Sequence, residues 1–352
     1  MMNNAISPPN SIRNAALPGV PDDGVVHADQ LAKDPLVIRI AKVVPDGEGT
    51  AVWWMGDDRI TFQVLSQDTD GAYAFWVDEP EPQEGPPKHV HSREEEGFYV
   101  LSGEATFQAG HVRAAIGPGS FIALPVGVPH KWVNTSKQRA KLITFTAPGG
   151  NEGFFLALGE PGEGPAKPKK TMAVTEINKH TPRFGATYME TTDNPMDGAL
   201  IIGAGRSPTI MMPGEGDARY SANCVYTIKA SGAVTANTYT LTEIELRKGG
   251  VMPSHRHAAF EEGIYVLEGI LAAELEGSRV TIEAGGFLNV PWGTKHEFKN
   301  LDSSNLRILS LSVPGGIEDY YRAACHVTAH ESGDAATDVE RMIEIGKRFG
   351  VF

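Results

Sequence analysis

Short stretches in which apolar and polar residues alternate recur along most of the chain. Thr61-Phe62-Gln63-Val64-Leu65 and Ala72-Tyr73-Ala74-Phe75-Trp76-Val77 alternate well enough for half-buried strands, whose side chains point to opposite faces with a period of two. Phe98-Tyr99-Val100-Leu101, Ala105-Thr106-Phe107-Gln108, Phe121-Ile122-Ala123-Leu124 and Lys141-Leu142-Ile143-Thr144-Phe145 continue the series, and Gly or Pro clusters part them at short intervals. Many short strands with frequent turn signals predict an all-β sandwich or barrel. The series stops at Pro148-Gly149-Gly150, after which Asn151 to Leu158 reads as a short helix and Gly159 to Lys170 as a linker by composition.

The plan then repeats. Pro213-Gly214-Glu215-Gly216 answers Pro45 to Gly49, Tyr239 answers Tyr73, and Pro314-Gly315-Gly316 stands 166 residues after Pro148-Gly149-Gly150. A second short helix is expected from Ile317 to Arg322. Two copies of one long unit imply a duplicated domain, not a solenoid of short repeats. The expected organisation is an N-terminal arm over 1–45 with a short strand at Leu36–Ile40, a barrel over 46–160, a linker with pairing strands over 161–212, a second barrel over 213–330, and a helix over 331–352. Val339, Met342, Ile343 and Ile345 supply the helical spacing for the last of these.

Composition narrows the function classes. A length of 352 residues suffices for two cores, and 41% apolar residues with 39 glycines fit a globular, turn-rich protein. The net charge of −13 argues against nucleic acid or an anionic membrane as partner. No apolar run approaches the length of a membrane span, and the first residues lack a secretory pattern. The two cysteines, Cys224 and Cys325, form no Cys-x-x-Cys pair, so a reduced cytoplasmic setting is expected.

The candidate chemistry lies in one constellation present twice. His89, His91, Glu96, Gly103 and His130 are each followed 166 residues later by His255, His257, Glu262, Gly269 and His296. Residues i and i+2 of a strand face the same side, so each His-x-His pair offers two imidazoles together. A third imidazole and a carboxylate complete a donor set suited to iron, manganese, cobalt, nickel, copper or zinc, with coordination positions left for substrate or dioxygen. By spacing alone Glu94 and Glu95, and Glu261, compete with Glu96 and Glu262. The five other histidines, His27, His111, His180, His326 and His330, have no matching partner and read as structural or surface residues.

These residues resemble the cupin superfamily. Its first motif, Gly-x5-His-x-His-x(3,4)-Glu-x6-Gly, is met by His89, His91, Glu96 and Gly103, and by Gly249, His255, His257, Glu262 and Gly269. Only Glu96, of the three acidic neighbours, has Gly103 seven residues on, so the motif selects it. The first copy carries Gln83 where the motif opens with glycine, and a local change of the loop is expected there. The second motif, Gly-x5-Pro-x-Gly-x2-His-x3-Asn, is complete as Gly119, Pro125, Gly127, His130, Asn134 and as Gly285, Pro291, Gly293, His296, Asn300.

The resemblance implies an all-β bicupin: two double-stranded β-helix (jelly-roll) barrels, each with a divalent metal, iron or manganese foremost, held by His89, His91, Glu96 and His130 and by His255, His257, Glu262 and His296. The chain is similar to the flavonol-cleaving quercetin 2,3-dioxygenase group in the Gly-Glu-Gly turns (Gly47 to Gly49, Gly214 to Gly216) and in the glycine and apolar strand after each motif glutamate (Gly97 to Leu101, Gly263 to Leu267). Gly97 and Gly263 stand where oxalate decarboxylases usually carry tryptophan. The implied activity is a metal-dependent dioxygenase on a small aromatic substrate, with Glu96 or Glu262 taking the proton of an enolic or phenolic hydroxyl before dioxygen adds and the ring opens. The family also implies a homodimer. A metal-dependent isomerase or lyase, or a bicupin with one catalytic barrel and one that is structural or binds a ligand, are the alternatives. Tyr73, Phe75, Phe98, Phe107, Phe121, Trp132 and Phe145 are candidate walls of an aromatic-sized cavity, or else ordinary core.

Overall fold

The computed structural model describes residues 40–352 except 56, 167–169, 171, 201–204, 303 and 332–333. Apart from Ile40, the arm and its expected strand at Leu36–Ile40 lie outside the described residues, as does His27.

Each half builds a barrel from two facing antiparallel sheets. In the N-terminal barrel one sheet runs in the order Glu160–Pro161, Thr50–Trp54, Asp58–Val64, Ala74–Glu79, Lys141–Ala147, Glu95–Ser102, Phe121–Leu124, Thr209–Met211. The facing sheet runs Ala186–Tyr188, His89–His91, His130–Asn134, Ala105–Ala109, Val112–Ile116. In the C-terminal barrel the orders are Lys42–Val44, Phe287–Val290, Glu261–Glu268, Leu306–Val313, Thr240–Leu246, Cys224–Ala230, Asp217–Tyr220 and, facing it, Val251–His255, His296–Asn300, Ile270–Leu275, Ser278–Glu283.

Two strands are exchanged. Lys42–Val44 precedes the N-terminal barrel in sequence but pairs with Phe287–Asn289 of the other, and Thr209–Met211 pairs back onto Phe121–Ala123. Backbone hydrogen bonds therefore tie each barrel to the segment leading into its partner, and each exchanged strand covers an edge that would otherwise be open.

The period of two explains the burial. Ala105, Phe107 and Ala109 are buried and the residues between them half-buried, as a strand with one wet face requires. Lys141–Ala147 is buried from Leu142 onward because both of its faces are covered. Leu142 packs inside its barrel, whereas Ile143, Phe145 and Ala147 join a cluster shared between the barrels. Leu309, Leu311 and Val313 enter that cluster from the other side. At its centre the Phe75 ring lies 4.6 Å from Phe287, 6.0 Å from Tyr265 and 6.3 Å from Phe145. Tyr73 Oη donates to Asn289 Oδ1 across the same interface at 2.5 Å. Tyr73, Phe75, Phe121 and Phe145, expected as possible cavity walls, are instead the glue between barrels.

Helices follow each barrel at Glu152–Leu158 and Ile317–Ala324, and a third spans Ala335–Gly346. The last is capped by Asp334, whose side chain accepts from the backbone N–H groups of Ala336 and Thr337. His326, paired with Asp338 of this helix at 3.1 Å, has a structural partner. A local loop change was expected at Gln83, and the backbone at that residue nevertheless keeps the turn of its counterpart, while the strand that follows starts at His89 in this half and at Val251 in the other. Gln83 adopts φ +66°, matching +67° at Gly249, and its N–H reaches Asn134 O at 2.8 Å. The loop keeps the conformation that glycine favours and bears the steric cost of a side chain there.

Candidate metal centres

His89 and His91 project from one strand into the N-terminal barrel, His130 opens the neighbouring strand directly opposite His89, and Glu96 lies on the facing sheet. One donor atom from each of the four lies within 4.8 Å of the others, and all four residues are buried. Glu96 Oε2 stands 2.9 Å from His130 Nε2 and 3.5 Å from His91 Nε2. None of these three atoms finds a hydrogen bond. Buried polar atoms that converge without pairing are expensive unless a cation takes their lone pairs, so the donor set fits a divalent metal. The outer ring nitrogens are used: His89 Nδ1 meets Pro87 O and His130 Nδ1 meets Val128 O, each at 2.9 Å. These bonds fix the tautomer that leaves Nε2 free to ligate. His91 Nδ1 faces the buried Glu94 at 3.5 Å, and Tyr188 stacks on His89 with ring centres 4.8 Å apart.

Burial pushes His89 well below its ordinary value and so keeps it neutral. Burial would also lower His91, but Glu96 and Glu94 raise it to about 10. For Glu96 burial acts upward and the paired His91 and His130 act more strongly downward, so its carboxyl is held well below the usual range and is ionised at neutral pH.

The C-terminal barrel assembles His255, His257 and His296 within the same 4.8 Å. His255 Nδ1 and His296 Nδ1 meet Pro253 O and Thr294 O, repeating the orientation seen in the first half. Glu262 is not part of this converging set: its Oε2 is 3.5 Å from His296 and 3.8 Å from His257, while its Oε1 accepts from Ser310 Oγ at 2.8 Å. Burial, with His255 adding to it, lowers His257 and His296 to about 3. The competing glutamates serve the frame. Glu95 accepts from Val126 N and pairs with Arg206 through both oxygens, and Glu261 accepts from Trp292 N.

The cupin-domain family matches residues 76–146 and 242–312, the segments that carry the two centres. The chain carries two cupin domains, and its fold is that of a bicupin. It is similar to the quercetin 2,3-dioxygenase of Bacillus subtilis (strain 168), with 27% identity over 251 residues that cover 67% of this chain and 72% of the relative. Among solved structures, oxalate decarboxylase from Bacillus subtilis at pH 4.6 aligns with a TM-score of 0.53 and 15% identity over 78% of this chain and 76% of that one. The formate complex of oxalate decarboxylase from Lactobacillus farciminis aligns at 0.55 and 15%, over 78% and 86%. A further Bacillus subtilis oxalate decarboxylase structure, from work on its Mn(II) centres, aligns at 0.53 and 15%, over 78% and 78%. At 15% identity these structures speak for the fold alone.

In the bicupin the N-terminal centre opens into a cavity of about 60 Å³. His89 and Glu96 line it, together with the aromatic residues Trp54, Trp76, Phe98, Trp132, Phe155 and Tyr188 and the acidic residues Asp57, Asp58, Asp78 and Glu84. Of the expected wall residues only Phe98 and Trp132 face it, and Phe107 packs behind them in the barrel interior. Burial pushes Asp78 up to about 7, opposed by the hydrogen bond from Thr144 and assisted by the charge of Glu96. Asp78 was legible in principle. Trp76 and Asp78 sit two apart on one strand, and the second half has Thr242 and Ile244 there, a departure from an otherwise matched duplication. Nothing local marks Tyr188, which arrives from the segment between the barrels and pairs opposite His89.

Proposed function

We propose that this bicupin is a metal-dependent dioxygenase that opens an enolic or phenolic aromatic substrate, such as a flavonol, and that the N-terminal barrel carries the chemistry. His89, His91, Glu96 and His130 would hold the first ion, and His255, His257 and His296, with Glu262 beside them, the second. A bound first-row divalent ion, manganese or iron foremost, would supply Lewis acidity and a meeting point for the enol oxygen and dioxygen. Glu96 Oε2, ionised and aimed into the cavity, takes the hydroxyl proton. The surrounding rings hold the aromatic face and keep water from the reacting carbon, and Tyr188 fixes the plane of His89.

The observation that carries this reading is the composition of the cavity wall. Rings and carboxyls line it, and no lysine or arginine is among the described residues that do. Carboxyls accept hydrogen bonds from phenolic hydroxyls, and a wall without lysine or arginine offers no side-chain cation to a small dicarboxylate such as oxalate. A cavity of this size receives the reacting edge of a ring system and leaves the remainder outside. The similarity to a quercetin 2,3-dioxygenase supports the same choice.

The test is oxygen uptake by the metal-loaded protein with a panel of flavonols and 1,3-diketones, run beside oxalate. Consumption of one dioxygen per flavonol, with carbon monoxide released, is the expected result. Turnover of oxalate, or conversion of the aromatic panel without oxygen uptake, overturns the reading in favour of a lyase or isomerase.

A further inference from the structure

A buried hydroxyl stands near the motif glutamate in both barrels, and the two barrels differ in what it bonds to. In the C-terminal barrel Ser310 Oγ donates to Glu262 Oε1, and Glu262 stays outside the set of converging donors. The residue 166 positions earlier is Thr144. Each sits on the strand beside its glutamate's own, Thr144 opposite Phe98 and Ser310 opposite Ile264, so the two hydroxyls occupy equivalent places in the ladder. The Thr144 hydroxyl does not go to Glu96. It donates to Asp78 Oδ2, which also accepts from Trp76 Nε1 at 3.0 Å. Asp78 is 5% exposed, and its counterpart in the second half is Ile244, a side chain with no acceptor.

A hydroxyl has one proton to donate. Given to Asp78, it cannot hold Glu96 against the barrel wall, and Glu96 is the glutamate that reaches the imidazoles. Given to Glu262, it anchors one carboxylate oxygen away from them. We propose that Asp78 is a positioning residue: by capturing the Thr144 hydroxyl it frees Glu96 for the metal centre, whereas Ser310, with Ile244 in the acceptor's place, holds Glu262 back from the second. This rests on the reading of both glutamates as candidate ligands, and it makes the buried partner two strands away the determinant of which centre has four ligands.

The experiment uses the full-length chain and Co(II) alone, titrated in competition with a fluorescent chelator. Wild-type protein should take up two Co(II), one more tightly. Asp78→Ile should weaken the tight site about tenfold, the usual order for a lost partner of a metal ligand. Asp78→Asn keeps an acceptor oxygen and should stay within about twofold of wild type. Thr144→Val in the Asp78→Ile background removes the competing hydroxyl and should restore the tight site. A merely structural role for Asp78 predicts no such rescue. Ser310→Ala, acting in the other barrel, should tighten the weak site about tenfold. Unchanged binding in Asp78→Ile, failure of the rescue in a folded double variant, or no effect of Ser310→Ala overturns the proposal. Should Asp78→Ile fail to fold, Ser310→Ala decides alone. Absence of any Co(II) binding to wild type would instead overturn the ligand assignment itself, and this inference with it.

Discussion

The two barrels carry the same three imidazoles on the same strands, yet their surroundings diverge. His91 Nδ1 faces the carboxylate of Glu94 at 3.5 Å; His257, its counterpart, has instead the edge of Phe260, with ring centres 6.1 Å apart. His89 lies under Tyr188 in a cavity with four further carboxyls, whereas His255 is half-buried. Glu96 reaches the imidazoles and Glu262 is tied to Ser310. Duplication preserved the positions of the candidate donor side chains and the turns that present them. The changes fell on residues that orient, charge and enclose those donors, which is where a binding site is tuned toward chemistry or away from it.

The largest expected break in this comparison is in catalysis. Glu96→Gln should lower oxygen uptake with a productive flavonol by about 10²- to 10⁴-fold, the range for loss of a general base, and Glu262→Gln should leave it within a few fold. Equal losses in single-variant assays would mean that the barrels share the work.

The next effect concerns what joins the barrels. Phe75→Ala empties the centre of the shared cluster and should cost about 3–5 kcal/mol in denaturant unfolding. It should also separate one transition into two, because the interface couples the domains. A single transition with unchanged midpoint would show that the exchanged strands alone suffice.

Smaller, and larger in the C-terminal half than in the N-terminal one, is a pH effect in chelator-treated protein. His257 and His296 ordinarily titrate near 6.5 and are lowered to about 3 by burial, so the unfolded chain binds their protons first. Their contribution to stability is present above pH 6.5 and is lost as pH falls toward 3. In the N-terminal barrel His89 is lowered in the same way, but His91 runs the other way and opposes it: raised to about 10, it contributes below pH 6.5 and loses that contribution as pH rises through 10. Melting at pH 5 should therefore begin in the C-terminal barrel and at lower temperature than at pH 7.5. A higher melting temperature at pH 5 would contradict the assignment.

The smallest prediction touches the one motif position that departs. Gln83→Gly relieves a side chain at φ +66° and should stabilise the protein by about 0.5–1 kcal/mol, read as a shift in denaturant midpoint. Destabilisation would show that the Gln83 side chain makes up for its backbone.

The short strands, the duplication and the three-histidine sets were legible because strand alternation and motif spacing are local patterns. Gln83 shows a limit of motif reading: the glycine was absent, yet Gln83 takes the glycine-like conformation while its N–H donates to Asn134 O. Phe75 and Phe145 show another. Their apolar character said only that they are buried, and whether they line a cavity or join two barrels depends on what lies across the sheet.

Sequence alone determined which residues supply the imidazoles and on which strand faces, since a His-x-His pair and a 166-residue repeat follow from chain order. Tertiary structure decided how each centre is finished. Tyr188 comes from the connecting segment, Lys42–Val44 and Thr209–Met211 cross to the other barrel, Asp78 takes the Thr144 hydroxyl two strands from Glu96, and Ser310 bonds Glu262 from the strand beside it. Hydrogen bonds and ring contacts between segments far apart in the chain leave no local period behind, so only the assembled sheets could show which glutamate reaches its imidazoles.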